Sequence, residues 1–136
     1  MSELHYGSCL CGKTTFEVIG EFQHFYLCHC SRCRKDTGTA HAANLFSSTA
    51  ELRWLSGKNN VKIFTLSETR HKKSFCVECG SALPNIQMDG KLLVVPAGCL
   101  DSRLSVIPDA HVCMASKGDW DAGLEQVTRL DELPLG

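Results

Sequence analysis

The sequence predicts a mainly β fold, and three observations predict it. Short runs rich in β-branched and aromatic residues recur along the chain. Turn signals built from Gly, Asn and Asp separate them. Tight cysteine clusters stand where strands would run into loops. With 136 residues and no repeat or low-complexity tract, the chain reads as one domain.

Taken in order, Lys13 to Gly20 combines Thr, Phe, Val and Ile and stops at a glycine, as a strand does. Phe22 to Leu27 reads as a second strand that enters a cysteine cluster directly. Ser31 to Thr37 is polar and basic, which suits one or two helical turns with Ser31 as cap and Gly38 as stop. Ala40 to Phe46 reads as a buried strand. Leu52 to Leu55 and Val61 to Leu66 flank Gly57-Lys58-Asn59-Asn60 and are expected to form a hairpin. Lys72 to Cys76 leads into another cluster. Leu83 to Met88 and Lys91 to Val95 flank Asp89-Gly90, a strong hairpin signal. His111 to Ala115 is a short strand, and Leu124 to Leu130 is the remaining helix candidate.

Charge excludes some partners. Fourteen Lys+Arg against 15 Asp+Glu leave a net charge of −1, which gives no electrostatic case for nucleic acid or an anionic membrane. The longest strongly apolar run, Leu92 to Ala97, is far too short to span a bilayer. Met1-Ser2-Glu3-Leu4-His5 has no charged segment followed by an apolar one, so a cytoplasmic protein with reduced thiols is expected.

Nine cysteines in a reducing compartment call for a metal. Nine is odd, so complete internal disulfide pairing is impossible. Cys9-x-Cys11, Cys28-x-Cys30-x-x-Cys33 and Cys76-x-x-Cys79 have the close spacing that lets thiolates converge on one ion. Zinc takes four tetrahedral ligands, and Cys9, Cys11, Cys76 and Cys79 supply them, with Gly12 and Gly80 free to turn after each pair. Such a site is saturated and therefore structural. Cys28, Cys30 and Cys33 supply only three, which leaves a coordination position open for chemistry. Competing divisions place all seven in one site, or complete 28–33 with Cys99 or Cys113. A further alternative buries them as core thiols, although packing does not require such regular spacing. Cys99 and Cys113 are expected in the core. His29 is expected in the shell around the metal or in solvent rather than as a ligand, and His41, His71 and His111 as hydrogen-bonded structural residues. The run Arg70-His71-Lys72-Lys73 reads first as a solvated face, and secondly as a clamp for a substrate carboxylate.

Gly7-Ser8-Cys9-Leu10-Cys11-Gly12, Cys28-His29-Cys30-Ser31-Arg32-Cys33-Arg34-Lys35 and Phe75-Cys76-Val77-Glu78-Cys79-Gly80-Ser81 together resemble the glutathione-dependent formaldehyde-activating enzyme family, which includes centromere protein V. His111-Val112 and Ser116-Lys117-Gly118-Asp119-Trp120 resemble that family's C-terminal strand and its SKxxW element. The resemblance implies a zinc-stapled β-tent of short antiparallel strands with one or two short helices. It implies two zinc ions, a structural one on Cys9, Cys11, Cys76 and Cys79 and a catalytic one on Cys28, Cys30 and Cys33. It also implies carbon–sulfur lyase chemistry, in which glutathione and formaldehyde give S-(hydroxymethyl)glutathione. The alternative is a non-catalytic, zinc-stabilised binding module of the same fold.

Overall fold

The computed structural model describes residues 3–134; Met1 and Ser2, the start of the stretch read for an export signal, lie outside them. The fold is mainly β. In chain order the elements are β1 (Leu4–Ser8), β2 (Thr15–Ile19), β3 (His24–Cys28), helix α1 (Ser31–Thr37), β4 (Ala42–Ser47) and β5 (Glu51–Ser56). There follow β6 (Val61–Thr65), β7 (Lys72–Cys76), β8 (Ala82–Leu83), β9 (Asn85–Gln87), β10 (Leu92–Pro96) and β11 (Ala110–Val112), with short 3-10 turns between some of them.

These strands make three small sheets, ordered β1-β2-β5, β11-β3-β4-β10-β9 and β6-β7-β8. Period-two alternation decides which side chains go inside. In β2, Phe16 and Val18 are fully buried while their neighbours are only half-buried. Leu45, Leu83, Leu93 and Val95 meet them in the core, and the thiols of Cys9 and Cys76 belong to the same cluster. One cysteine pair is therefore wedged into the apolar centre, between the first and third sheets.

Helix α1 spans the expected residues, and Gly38 ends it at φ 68°, donating its N–H to the Arg34 carbonyl. Its cap is Cys30 rather than Ser31, because the Cys30 sulfur accepts the Cys33 N–H at 3.3 Å. The hairpin at Asp89-Gly90 forms, with β9 antiparallel to β10. Its arm Leu83–Met88 is broken, however: Pro84 separates β8, which pairs with β7, from β9. A proline has no N–H to give a continuous ladder.

The expected hairpin across Gly57 to Asn60 does not form. Both strands exist, but β5 pairs with β2 and β6 pairs with β7. Gly57 takes φ 68° over the Lys13 carbonyl, where an added Cβ would stand 2.2 Å from that oxygen. A 3-10 turn over Lys58–Asn60 then carries the chain into the third sheet. The helix expected over Leu124 to Leu130 shrinks to a 3-10 turn at Leu124–Gln126. Its residues are exposed, so no packed face stabilises a longer helix.

Candidate metal centre

Cys9 leaves β1 and Cys11 lies in the turn to β2, while Cys76 ends β7 and Cys79 lies in the turn to β8. The structure brings all four sulfurs within 4.8 Å of one another. Cys9 Sγ lies 3.5 Å from Cys11 Sγ, which lies 3.9 Å from Cys76 Sγ. Four sulfurs at about 2.3 Å from one tetrahedral zinc would be spaced about 3.8 Å apart. The measured gaps match that spacing and exceed the roughly 2.05 Å of a disulfide. All nine cysteines are free thiols.

The electrostatics say the same. The Ser81 hydroxyl and amide hold the Cys79 thiol down to about 5, with help from the Cys11 amide. Burial works against ionisation of Cys9, but the Thr14 N–H at 3.3 Å from its sulfur and the thiols of Cys11 and Cys76 bring it below its ordinary value. At Cys11 the Lys13 amide favours the thiolate, yet burial and the three neighbouring sulfurs outweigh it and push the group up to about 11. Four negative charges cannot gather here unaided. A divalent cation at their centre removes the conflict.

Cys28, Cys30 and Cys33 are placed by a strand running straight into a helix: last residue of β3, cap of α1, first turn of α1. Their sulfurs also lie within 4.8 Å of one another. Cys30 is held below its ordinary value although burial opposes this, because the Cys33 amide and the other two thiols favour its charge. Burial pushes Cys28 and Cys33 up, and the adjacent sulfurs add to the rise at Cys33. This second donor set also fits a thiophilic dication such as zinc.

The spare cysteines part ways. Cys99 is half-buried, donates its S–H to the Pro96 carbonyl at 3.0 Å, and is pushed up to about 12 by burial. Cys113, expected in the core, is exposed and left-handed at φ 59°. Just beyond β11, it lies near enough to Cys28 to disfavour that thiolate. It does not join the group of sulfurs sharing one centre.

Two thiols of the second cluster, Cys28 and Cys33, line a cavity of about 420 Å³ that His41, Arg70, Lys72 and Lys73 also line. The basic run is therefore not simply a solvated face, for Lys72 and Lys73 are half-buried. His71 Nε2 lies 2.5 Å from Asp36 Oδ2 on α1, and Lys73 donates to the Asp36 carbonyl. These contacts anchor the basic strand against the cysteine-bearing helix.

Sequence reasoning missed a third cluster. His29 is fully buried rather than solvent-facing, its Nε2 lies 2.8 Å from His111 Nδ1, and its Nδ1 lies 2.9 Å from Asp121 Oδ2. The His41 ring stands 5.1 Å from that of His29. Burial and the two neighbouring imidazoles hold His41 below its ordinary value, against the pull of Asp121. No spacing rule links positions 29, 41 and 111; strand register alone does.

The fold and these sites define a class: a small mainly β protein whose thiol clusters can hold metal ions. Residues 4–116 match the family described as glutathione-dependent formaldehyde-activating enzyme, and the chain belongs to that family. A crystal structure of a Rhodobacter sphaeroides protein, a structural genomics target, is similar at a TM-score of 0.56 and 25% identity, covering 76% of this chain and 97% of that one. No curated protein matches. No helix among the described residues is long and apolar enough to cross a membrane.

Proposed function

We propose that the protein is a zinc-dependent carbon–sulfur lyase that joins a thiol such as glutathione to a small aldehyde such as formaldehyde, giving S-(hydroxymethyl)glutathione. On this reading the chain works as one domain with two zinc ions. Cys9, Cys11, Cys76 and Cys79 hold the structural ion. Cys28, Cys30 and Cys33 hold the catalytic one. Family membership supports the reaction class. A reducing compartment such as the cytoplasm suits nine free thiols.

The observation that carries the reading is three sulfurs around one centre, two of which line a cavity that Arg70, Lys72 and Lys73 also line. The cavity's 420 Å³ falls in the range of about 300–1,000 Å³ typical of small-molecule sites. Zinc bound by three thiolates would supply Lewis acidity and favour ionisation of an incoming thiol. The chain's own residues do the rest. Arg70 and Lys72 attract the carboxylates of a tripeptide thiol and orient its sulfur toward the cysteine wall. The enclosing strands bring two dilute reactants together. In the reaction the C–S bond forms, the carbonyl π bond breaks, and the thiol's proton ends on the former carbonyl oxygen.

The test is NMR exchange between formaldehyde and glutathione with zinc-loaded protein. Exchange is expected to accelerate, and Cys30→Ser to abolish the acceleration. A rate equal to the spontaneous one rules the activity out.

A second reading is a binding module in which Cys113, which influences Cys28 but lies outside the three-sulfur group, swings in as a fourth thiolate and closes the site. Cys113→Ser separates the two. The lyase keeps its second zinc and its exchange activity, whereas the closed module loses that ion.

A further inference from the structure

We propose that His29, His41 and His111 form a third metal site, separate from both thiol clusters, which takes a divalent first-row ion that favours imidazole, such as Zn2+, with Asp121 positioning His29.

The sheet builds this site. β11, β3 and β4 are neighbours, and each delivers one histidine at the same end. Cys28 pairs with Ala42 across the antiparallel β3–β4 ladder, so the next step sets His29 opposite His41. On the other side His111 pairs with Leu27, which shares a face with His29 two residues on. The same alternation turns His29 away from its neighbours Cys28 and Cys30. One ring nitrogen from each histidine then lies within 4.8 Å of the other two.

Asp121 prepares the central ligand. Its carboxylate oxygen stands 2.9 Å from His29 Nδ1, on the side of the ring away from His111. The other ring nitrogen, Nε2, faces His111 Nδ1 2.8 Å away. A carboxylate behind one nitrogen of a histidine, with the other nitrogen facing a gathering of donors, is how proteins orient a metal-ligating imidazole. Asp121 Oδ2 and His29 Nδ1 are both buried, and neither has an aligned hydrogen-bond partner among the described residues, so both are unsatisfied without a further group at this site.

A plain chain of hydrogen-bonded imidazoles accounts for less. It explains the His29–His111 contact but not His41, whose ring lies 5.1 Å and 6.0 Å from the other two and makes no hydrogen bond among the described residues. A metal gives all three a reason to converge. His111 is exposed and His41 borders the cavity, so an ion can enter. Three neutral nitrogens bind less tightly than thiolates, which makes this the exchangeable site of the molecule.

Cobalt loading of the full chain tests the proposal without depending on either thiol cluster. Sulfur-bound Co2+ shows intense thiolate-to-metal charge transfer, whereas an all-imidazole site shows only weak d–d bands. One bound equivalent lacking charge transfer is expected, lost in His41→Ala and in His111→Ala and kept in His24→Ala, a control outside the cluster. As a check independent of any variant, 15N NMR of the wild-type histidine rings is expected to shift at His29, His41 and His111 when Zn2+ is added beyond thiolate saturation. The proposal is overturned if every bound cobalt carries charge transfer, if the thiolate-free equivalent survives both substitutions, or if those three rings do not shift.

Discussion

Cys11 meets Cys76 across 65 residues of chain, whereas Cys28, Cys30 and Cys33 occupy six consecutive positions. The first cluster draws its sulfurs from turns of two different sheets, and two of its thiols lie inside the apolar core. The second is complete once β3 runs into α1, and it borders a cavity. Sequence-distant ligands close a long stretch of chain, so an ion at the first site would stabilise the whole fold. Sequence-local ligands close little chain, so an ion at the second site would add less to folding.

The largest predicted effect breaks the first cluster. Cys76 is fully exposed to the core and not at all to solvent. Structural zinc contributes on the order of 10 kcal/mol, comparable with an entire folding stability of about 5–15 kcal/mol. Cys76→Ser is therefore expected to abolish cooperative folding, and strong chelation of the wild type to do the same. Circular dichroism during a thermal ramp checks both, and a sharp transition in Cys76→Ser would contradict the assignment.

Cys30→Ser sharpens the contrast. The protein is expected to stay folded with its helix cap intact, since a serine hydroxyl can accept the Cys33 N–H as the Cys30 sulfur does. It should bind one zinc fewer and lose formaldehyde–glutathione exchange. Calorimetry with metal analysis reads both halves, and unfolding as severe as that of Cys76→Ser would erase the distinction between the clusters.

Smaller effects come from the cavity's basic side. Arg70→Ala and Lys72→Ala are each expected to raise KM for glutathione by about three- to tenfold, with kcat little changed, since each removes one charge-assisted contact near solvent. A small thiol lacking carboxylates should react equally with all variants. Equal loss for both thiols would mean that these residues do not recognise carboxylates.

Cys99, a thiol in neither cluster, gives the smallest effect, absent at neutral pH. Burial raises it from 9.0 to about 12, so the unfolded chain gives up this proton first. Its contribution to stability is fully present below pH 9 and is lost as pH rises toward about 12. Alkaline melts of Cys99→Ala should show a flatter decline than wild type over that window. An unchanged slope would show that Cys99 does not titrate there.

Much of this was legible in order along the chain. The helix spans Ser31–Thr37 because its polar run ends at a glycine, and Asp89-Gly90 marks a true hairpin because both residues take positive φ, 54° and 86°. The family was readable from three cysteine motifs, and the family match confirms it. Strand partners were not readable. The Gly57 turn announced a bend but not that β5 and β6 would leave for different sheets. β1 went unnoticed because Leu4 to Ser8 carries a glycine and a histidine within five residues. The parallel pairing of β11 with β3 is long-range and has no local signature.

By itself the sequence determined donor type and local geometry: which thiols lie close together along the backbone, and where strand gives way to helix. Those properties depend on neighbours a few residues apart, where bond lengths and turn preferences leave little freedom. The tertiary structure alone decided that β1 and β7 would bring Cys9 and Cys76 together, that a basic strand would face Cys28 and Cys33, and that three distant histidines would meet around one point. Those encounters are set by strand register and core packing, which sum weak preferences over the whole chain and leave no mark at any one position.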